Sequence, residues 1–189
     1  MDTIGRLRGW IFRAKCKITM KKIKIGKNLI LRAKLGLNGP GKIKLGDSCI
    51  VEGVCGDKHR YVTLYTHSPD AIIEIGDNVR LRGTRISARY SITIGCDAYI
   101  ENVGIADTDF HSIDRNREST IMESIEKCRV VICQRVAIGN GALVGKGIVI
   151  GEDAIIAPGS VLNCNIPPLC FAAGNPAKII KRVTIQCKN

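Results

Sequence analysis

Residues 132–162 read ICQRVAIGNGALVGKGIVIGEDAIIAPGSVL, and this stretch decides the fold. Aliphatic side chains stand at every sixth position: Ile132, Ile138, Val144, Ile150, Ile156 and Leu162. In a chain that is 45% hydrophobic, six chosen positions are all apolar by chance roughly once in a hundred tries. A second column four residues on, Val136, Ala142, Ile148, Ala154 and Ser160, is small or apolar. Gly139, Gly145 and Gly151 directly follow three of the aliphatics, where glycine fits a bend. A period of six belongs neither to a helix, at about 3.6, nor to a bare alternation of two. It fits a short strand plus a turn, repeated, with three units closing a triangular coil of about 18 residues. The expectation is an all-β chain wound as a parallel β-helix, whose narrow aliphatic interior leaves little room for rings and agrees with an aromatic content of 4%. Such a solenoid buries a core only by stacking, so several coils are required.

The same signature occurs upstream in Ile25-Gly26, Leu45-Gly46, Ile75-Gly76 and Ile94-Gly95, but there the frame is interrupted. Leu45 to Ile75 is thirty positions, Ile75 to Ile94 nineteen and Ile94 to Ile132 thirty-eight, so insertions leave the coils in between. The largest breaks fall at 56–70 and 107–129. The second begins DTDFHSIDRNREST and is mostly polar, which reads as a loop ejected from the solenoid. Loops held by a rigid scaffold are where chemistry usually sits.

Around this core the composition sets bounds. The chain has 189 residues with 29 Lys plus Arg against 17 Asp plus Glu, a formal net charge of +12. A hydrophobic share of 45% excludes intrinsic disorder, which needs low hydrophobicity as well as charge. The reading divides it into a basic segment 1–24, a β-helix domain 25–182 and a tail 183–189. No apolar run approaches the roughly 20 residues that span a bilayer, nor does the start resemble a secretory signal, so the expected location is the cytoplasm. Nine cysteines, an odd number without a CxxC pair, read as reduced thiols in small core positions rather than a disulfide framework or a zinc site. Nucleic-acid binding finds no support beyond the basic balance, because no interleaved aromatic platform accompanies it.

The charge excess is concentrated in residues 1–24, which hold eight Lys plus Arg and one acidic residue. Ile4, Leu7, Trp10, Ile11 and Ala14 recur there at helical spacing among Arg6, Arg8, Arg13, Lys15 and Lys17. This reads as a short basic amphipathic helix with two compatible roles: to cap the open end of the solenoid, or to lie on an anionic membrane surface.

With the six-residue frame, the loop Asp107-Thr108-Asp109-Phe110-His111 and the ending Gly174-Asn175-Pro176-Ala177-Lys178 in hand, the chain resembles the hexapeptide-repeat acyltransferases. The likeness covers roughly residues 25–182 and is nearest to the branch that O-acetylates sugars of surface polysaccharides. It implies a left-handed β-helix, a homotrimer, acetyl-CoA as acyl donor, no metal, and a sugar or saccharide acceptor that is often built on a lipid carrier at the inner membrane face. The left hand comes from the resemblance alone, since the general preference is for right-handed crossovers.

The resemblance puts His111 in the role of general base, an imidazole with a pKa near 6.5 that takes the proton of an attacking hydroxyl. Asp109 or Asp107 would orient it; Asp109 is placed beside the base, and Asp107 with Arg82 on the acceptor side. Arg82 stands where relatives of the maltose-acetylating type carry an asparagine, and an arginine there suits an acidic or phosphorylated sugar. Gly139 and Ala157 would meet the pantetheine arm through backbone groups, and Lys178 and Lys181 would reach the phosphates. Ala137 replaces a tryptophan common in relatives. The fold also carries carbonic anhydrases with three zinc-binding histidines, but the intervals here between His59, His67 and His111, eight and forty-four, do not fit that ligand spacing. His59 and His67 read as flanking a packed tyrosine-containing stretch. The rival functions are N-acylation of a nucleotide-linked amino sugar and a non-catalytic scaffold.

Overall fold

The structure, a computed structural model, describes residues 2–54, 56–57, 61–109 and 124–184. The repeat winds into coils, each giving one short strand to each of three sheets. The first sheet takes Ile23–Ile25, Lys42–Leu45, Ile72–Ile75, Ser91–Ile94, Val130–Ile132 and Val149–Ile150. The second runs from Ile30–Leu31 through Ile50–Glu52, Arg80–Arg82, Tyr99–Glu101, Ala137–Ile138 and Ile155–Ile156 to Cys170–Gly174 and Ala177–Arg182. The third stacks Leu35–Asn38, Val62–Thr66, Arg85–Ala88, Gly104–Ala106, Leu143–Val144 and Val161–Leu162. All pairings between these strands are parallel except the last of the second sheet, where Ala177–Arg182 returns antiparallel on Cys170–Gly174. The antiparallel return closes the C-terminal end.

The register explains the interrupted frame. Ile25, Leu45, Ile75, Ile94, Ile132 and Ile150 occupy one stacked position at the end of the first sheet's strands. The spacings of thirty and thirty-eight are therefore single coils carrying insertions. Ile75, Ile94, Ile132 and Ile150 are at most 1% exposed, and burying each removes apolar surface worth about 1.5–3 kcal/mol. The second column is equally buried, with Val136, Ala142, Ala154 and Ser160 fully enclosed.

Three expectations change in detail. The break at 56–70 is narrower than the spacing suggests, because Val62–Thr66 already forms a third-sheet strand in register with Leu35–Asn38. Most of the glycines after the aliphatics, Gly139 and Gly151 among them but not Gly145, serve close stacking rather than a bend. A Cβ on Gly95 would lie 2.5 Å from the backbone nitrogen of Gln134 in the next coil. Left-handed backbone falls three residues after the stacked aliphatic, at Asn28, Ser48, Asn78, Asp97, Arg135 and Asp153, which turn the corner into the second sheet.

The third change concerns the N-terminal helix, Thr3–Thr19, whose start is capped by Asp2 accepting a hydrogen bond from the Gly5 amide at 2.9 Å. It covers the first coil as expected, on the face of Gly5, Gly9, Phe12 and Cys16, while Ile4, Leu7, Trp10, Ile11 and Ile18 stay exposed. Gly9 allows the closest approach, since a Cβ there would sit 1.8 Å from the Leu29 carbonyl oxygen. Arg13 ties the helix down by donating to the Ile25 carbonyl at 3.1 Å. Among the described residues no helix is long and apolar enough to cross a membrane.

Candidate active site

The polar insertion leaves the solenoid from the third sheet, directly after the strand Gly104–Ala106. Asp107 sits at its root, fully buried. One carboxylate oxygen accepts from the Arg89 amide, and the other from those of Tyr90 and Ser91, all at 2.7 Å. These contacts make Asp107 a staple that fixes the corner of the preceding coil. Both oxygens are committed to backbone and the side chain presents no surface to an acceptor, so the expectation that it binds substrate gives way to a structural role. His111 lies outside the described residues, as does His59.

Two residues beyond Asp107 the chain reaches the rim of a groove of about 390 Å³ on the outer face of the third sheet. Its floor is low because Gly104 and Ala106 carry almost no side chain, and Arg85, Ser87, Leu143 and Gly145 form its sides. Asp109 stands at its edge, exposed, and pairs with Lys146 of the next coil at 2.7 Å between Oδ2 and Nζ. Nε2 of His67 lies 2.7 Å from the Ser87 hydroxyl, and its ring leans on Tyr65 with 4.4 Å between centroids. Partial desolvation pushes the His67 pKa below the ordinary imidazole value, with Asp107 pulling it partly back, which favours the neutral ring at neutral pH. The sequence reading names His67 only as packing beside the tyrosine-containing stretch and does not single out Ser87 or Lys146; their proximity is set by which coils stack, and no local motif announces it.

The other candidates lie around the neighbouring corner. Arg82 occupies the second sheet and belongs to a ladder of charges. Its Nη2 meets Glu52 at 3.0 Å and its Nη1 meets Glu101 at 3.1 Å. Arg32 joins Glu52 at 2.5 Å and Asp2 at 2.6 Å. Burial pushes the Glu52 carboxyl up, but hydrogen bonds from Arg32 and Arg82 outweigh it and hold the group below the usual carboxylate range. An anion approaching Arg82 has to compete with two carboxylates already in place.

Continuing the same register toward the C-terminus, the charged column Arg32, Glu52, Arg82, Glu101 passes into Gly139, Ala157 and Ala173. Gly139 donates its amide to the Ile156 carbonyl, and Ala157 donates to Ala172, each at 2.9 Å. A Cβ on Gly139 would meet the ring nitrogen of Pro158 at 2.7 Å, so coil stacking itself requires the glycine. The result is a strip of backbone without projecting side chains beside the last coils. Beyond it Lys178 and Lys181 stand exposed on the terminal strand, Lys181 with its ammonium 5.9 Å from the Phe171 ring centre. A bare strip ending in two ammoniums fits a narrow arm that ends in phosphates, which is the shape and charge of coenzyme A. Ala137, in the strand Ala137–Ile138 that leads into this strip, is half-buried. Among the described residues no group of three or more His, Cys, Asp or Glu side chains converges as metal ligands would.

Repeat and architecture together define a class, the left-handed parallel β-helices built of hexapeptides. Residues 129–164 match the family model described as bacterial transferase hexapeptide (six repeats). Among solved structures the chain is similar to the polysialic acid O-acetyltransferase OatWY, at 26% identity over 88% of this chain and 77% of that one, with a TM-score of 0.69. It shares its fold with a variant of AntD, an N-acyltransferase from Bacillus cereus in complex with dTDP-4-amino-4,6-dideoxyglucose and coenzyme A. There the identity is 17% over 91% of this chain and 89% of that one, with a TM-score of 0.70. The polySia-specific acetyltransferase NeuO is similar at 21% identity, over 89% and 80% of the two chains, with a TM-score of 0.52. Comparison with curated proteins gave no match.

Proposed function

We propose that this chain is an acetyl-CoA-dependent O-acetyltransferase that acts on a sugar hydroxyl in surface polysaccharide biosynthesis, with His111 as general base. The observation that carries the reading is the placement of the insertion. It leaves the solenoid at a groove, with Asp109 and its partner Lys146 at the rim, one corner away from the bare strip of Gly139, Ala157 and Ala173. His111 follows Asp109 by two residues, so covalent geometry keeps the two Cα atoms within about 7 Å. The similarity to OatWY supports a saccharide acceptor and the transfer of an acetyl group to oxygen.

In the proposed reaction the His111 imidazole removes the hydroxyl proton as the sugar oxygen attacks the thioester carbonyl. The C–O bond forms, the C–S bond breaks, and the departing thiolate takes up a proton. Asp109 orients the imidazole by accepting from its other ring nitrogen, and Lys146 restrains that carboxylate. Lys178 and Lys181 answer the phosphates of the acyl donor. A homotrimer fits this division of parts, since the groove and the bare strip lie on either side of a corner and a neighbouring subunit would bring one against the other. Leu143 at the groove and Ile155 on the second sheet are exposed aliphatics suited to such contact. The same reading puts the protein in the cytoplasm, with residues 1–24 as a peripheral contact at the inner membrane face.

The test is acetyl transfer from acetyl-CoA to acidic and neutral saccharides, with the product's lability to mild base separating an ester from an amide. His111→Ala is expected to lower kcat by about 10²–10⁴-fold while leaving the dissociation constant of acetyl-CoA unchanged. Normal turnover in that variant would remove His111 from the chemistry.

A further inference from the structure

The N-terminal helix meets the solenoid with Gly5, Gly9, Phe12 and Cys16 and leaves its other large apolar residues outside. Ile4, Leu7, Ile11 and Ile18 are 68%, 58%, 53% and 81% exposed, and Trp10 is 67% exposed. At about 100° per residue these side chains and Ala14 form a stripe about 120° wide, opposite the Gly5, Gly9 and Cys16 face that docks. Arg6, Arg13 and Lys17 run along one margin of the stripe, and Arg8 and Lys15 along the other. Thr3–Thr19 contains no acidic residue. A helix whose apolar stripe only covered the first coil would turn that stripe inward; this one is held by its opposite face.

A second feature lies where the chain leaves the helix. Lys21, Lys22 and Lys24 join Lys42 and Lys44 around a groove of about 310 Å³ on the outer face of the first sheet, floored by Ile43 and Ile72. Glu74, paired with Lys44 at 2.6 Å, is the one carboxylate that lines it. Five ammoniums around a single carboxylate make an anion-attracting surface, continuous along the chain with the cationic margins of the helix.

We propose that this end of the solenoid is a docking surface for an anionic lipid bilayer. The stripe lies in the boundary between headgroups and acyl chains, while the arginine and lysine margins and the lysine groove rest on lipid phosphates. The charge pattern decides against a second copy of the helix. Ile4, Leu7, Ile11, Ala14 and Ile18 have the spacing of a coiled-coil seam, but every charge flanking that seam is positive, so pairing two copies would set cation against cation. The proposal deepens the peripheral placement given above by naming the face and the lipid, and it does not depend on the transferase chemistry.

Trp10 is the chain's one tryptophan and stands at the edge of the stripe, so its emission reports the event directly. The full-length protein is titrated with vesicles of phosphatidylcholine alone and of phosphatidylcholine mixed with phosphatidylglycerol. The expected result is a blue shift and cosedimentation with the mixed vesicles, about tenfold weaker with the neutral ones and weakened by salt. Leu7→Glu with Ile11→Glu, both at exposed positions, abolishes it, and Lys21→Gln with Lys42→Gln weakens it. No shift with anionic vesicles overturns the proposal. So does a stripe variant that changes the sedimentation coefficient in the absence of lipid, which would assign the stripe to a second copy. Acetyl-CoA titration of the same variants stays unchanged if only docking is lost, so the failure of docking and the failure of the transferase reading are distinguished.

Discussion

At the residue scale the site turns on which carboxylate does what. Asp107 and Asp109 are two residues apart and chemically identical, yet one is buried under three backbone amides and the other stands at the groove's rim beside Lys146. Asp107→Ala leaves three buried N–H groups without an acceptor and is expected to cost about 3–5 kcal/mol, read as a fall in the unfolding midpoint. A variant that keeps its full stability and loses only turnover would return Asp107 to the acceptor. The sequence shows that the loop begins here, because a polar run interrupts the six-residue frame. It does not separate the two aspartates, since the amides of Arg89, Tyr90 and Ser91 come from the previous coil. Ser87 and Lys146, and the contact of His67 with Ser87, escape for the same reason: coils that carry insertions displace the residues they bring together by irregular distances in the chain.

At the element scale, each coil is a unit that the Ile-Gly pairs mark well. Ile25, Leu45, Ile75 and Ile94 stack as the spacing implies, even across insertions. The helix is the harder case. Periodicity of large apolar residues suggests an inward face, and the face that docks is written in Gly5 and Gly9, whose lack of side chains is the signal. The charge ladder of the second sheet gives this scale its own prediction. Glu52 has a folded pKa below its unfolded value, so its contribution to stability is complete above the ordinary carboxylate pKa, about 4.3, and is lost as pH falls through the depressed value. Denaturant titrations of Glu52→Gln should therefore show a shallower loss of stability on acidification than the parent. They should also show a cost of about 1–3 kcal/mol at neutral pH, modest because Arg32 and Arg82 remain partly solvated. Equal acid slopes would show that the ladder does not hold this carboxylate ionised.

At the scale of the whole molecule, one end of the solenoid differs from the other. The N-terminal end carries the helix and the lysine groove, the insertion leaves midway, and the C-terminal coils carry the bare strip that ends in Lys178 and Lys181. The solenoid is legible in the sequence because its period is short and repeated. The strip is not, because Arg82, Glu101, Gly139 and Ala157 share a column only once the register is known. In the proposed function this strip and the groove around the corner serve an acyl-CoA-dependent transfer. Calorimetric titration of the folded protein with acetyl-CoA, and in parallel with 3′-dephospho-CoA, tests it most directly because it requires no knowledge of the acceptor. The expected result is saturable binding at one site per chain, weakened about tenfold without the 3′-phosphate and again by Lys178→Ala with Lys181→Ala. No binding by the intact, folded protein would contradict it.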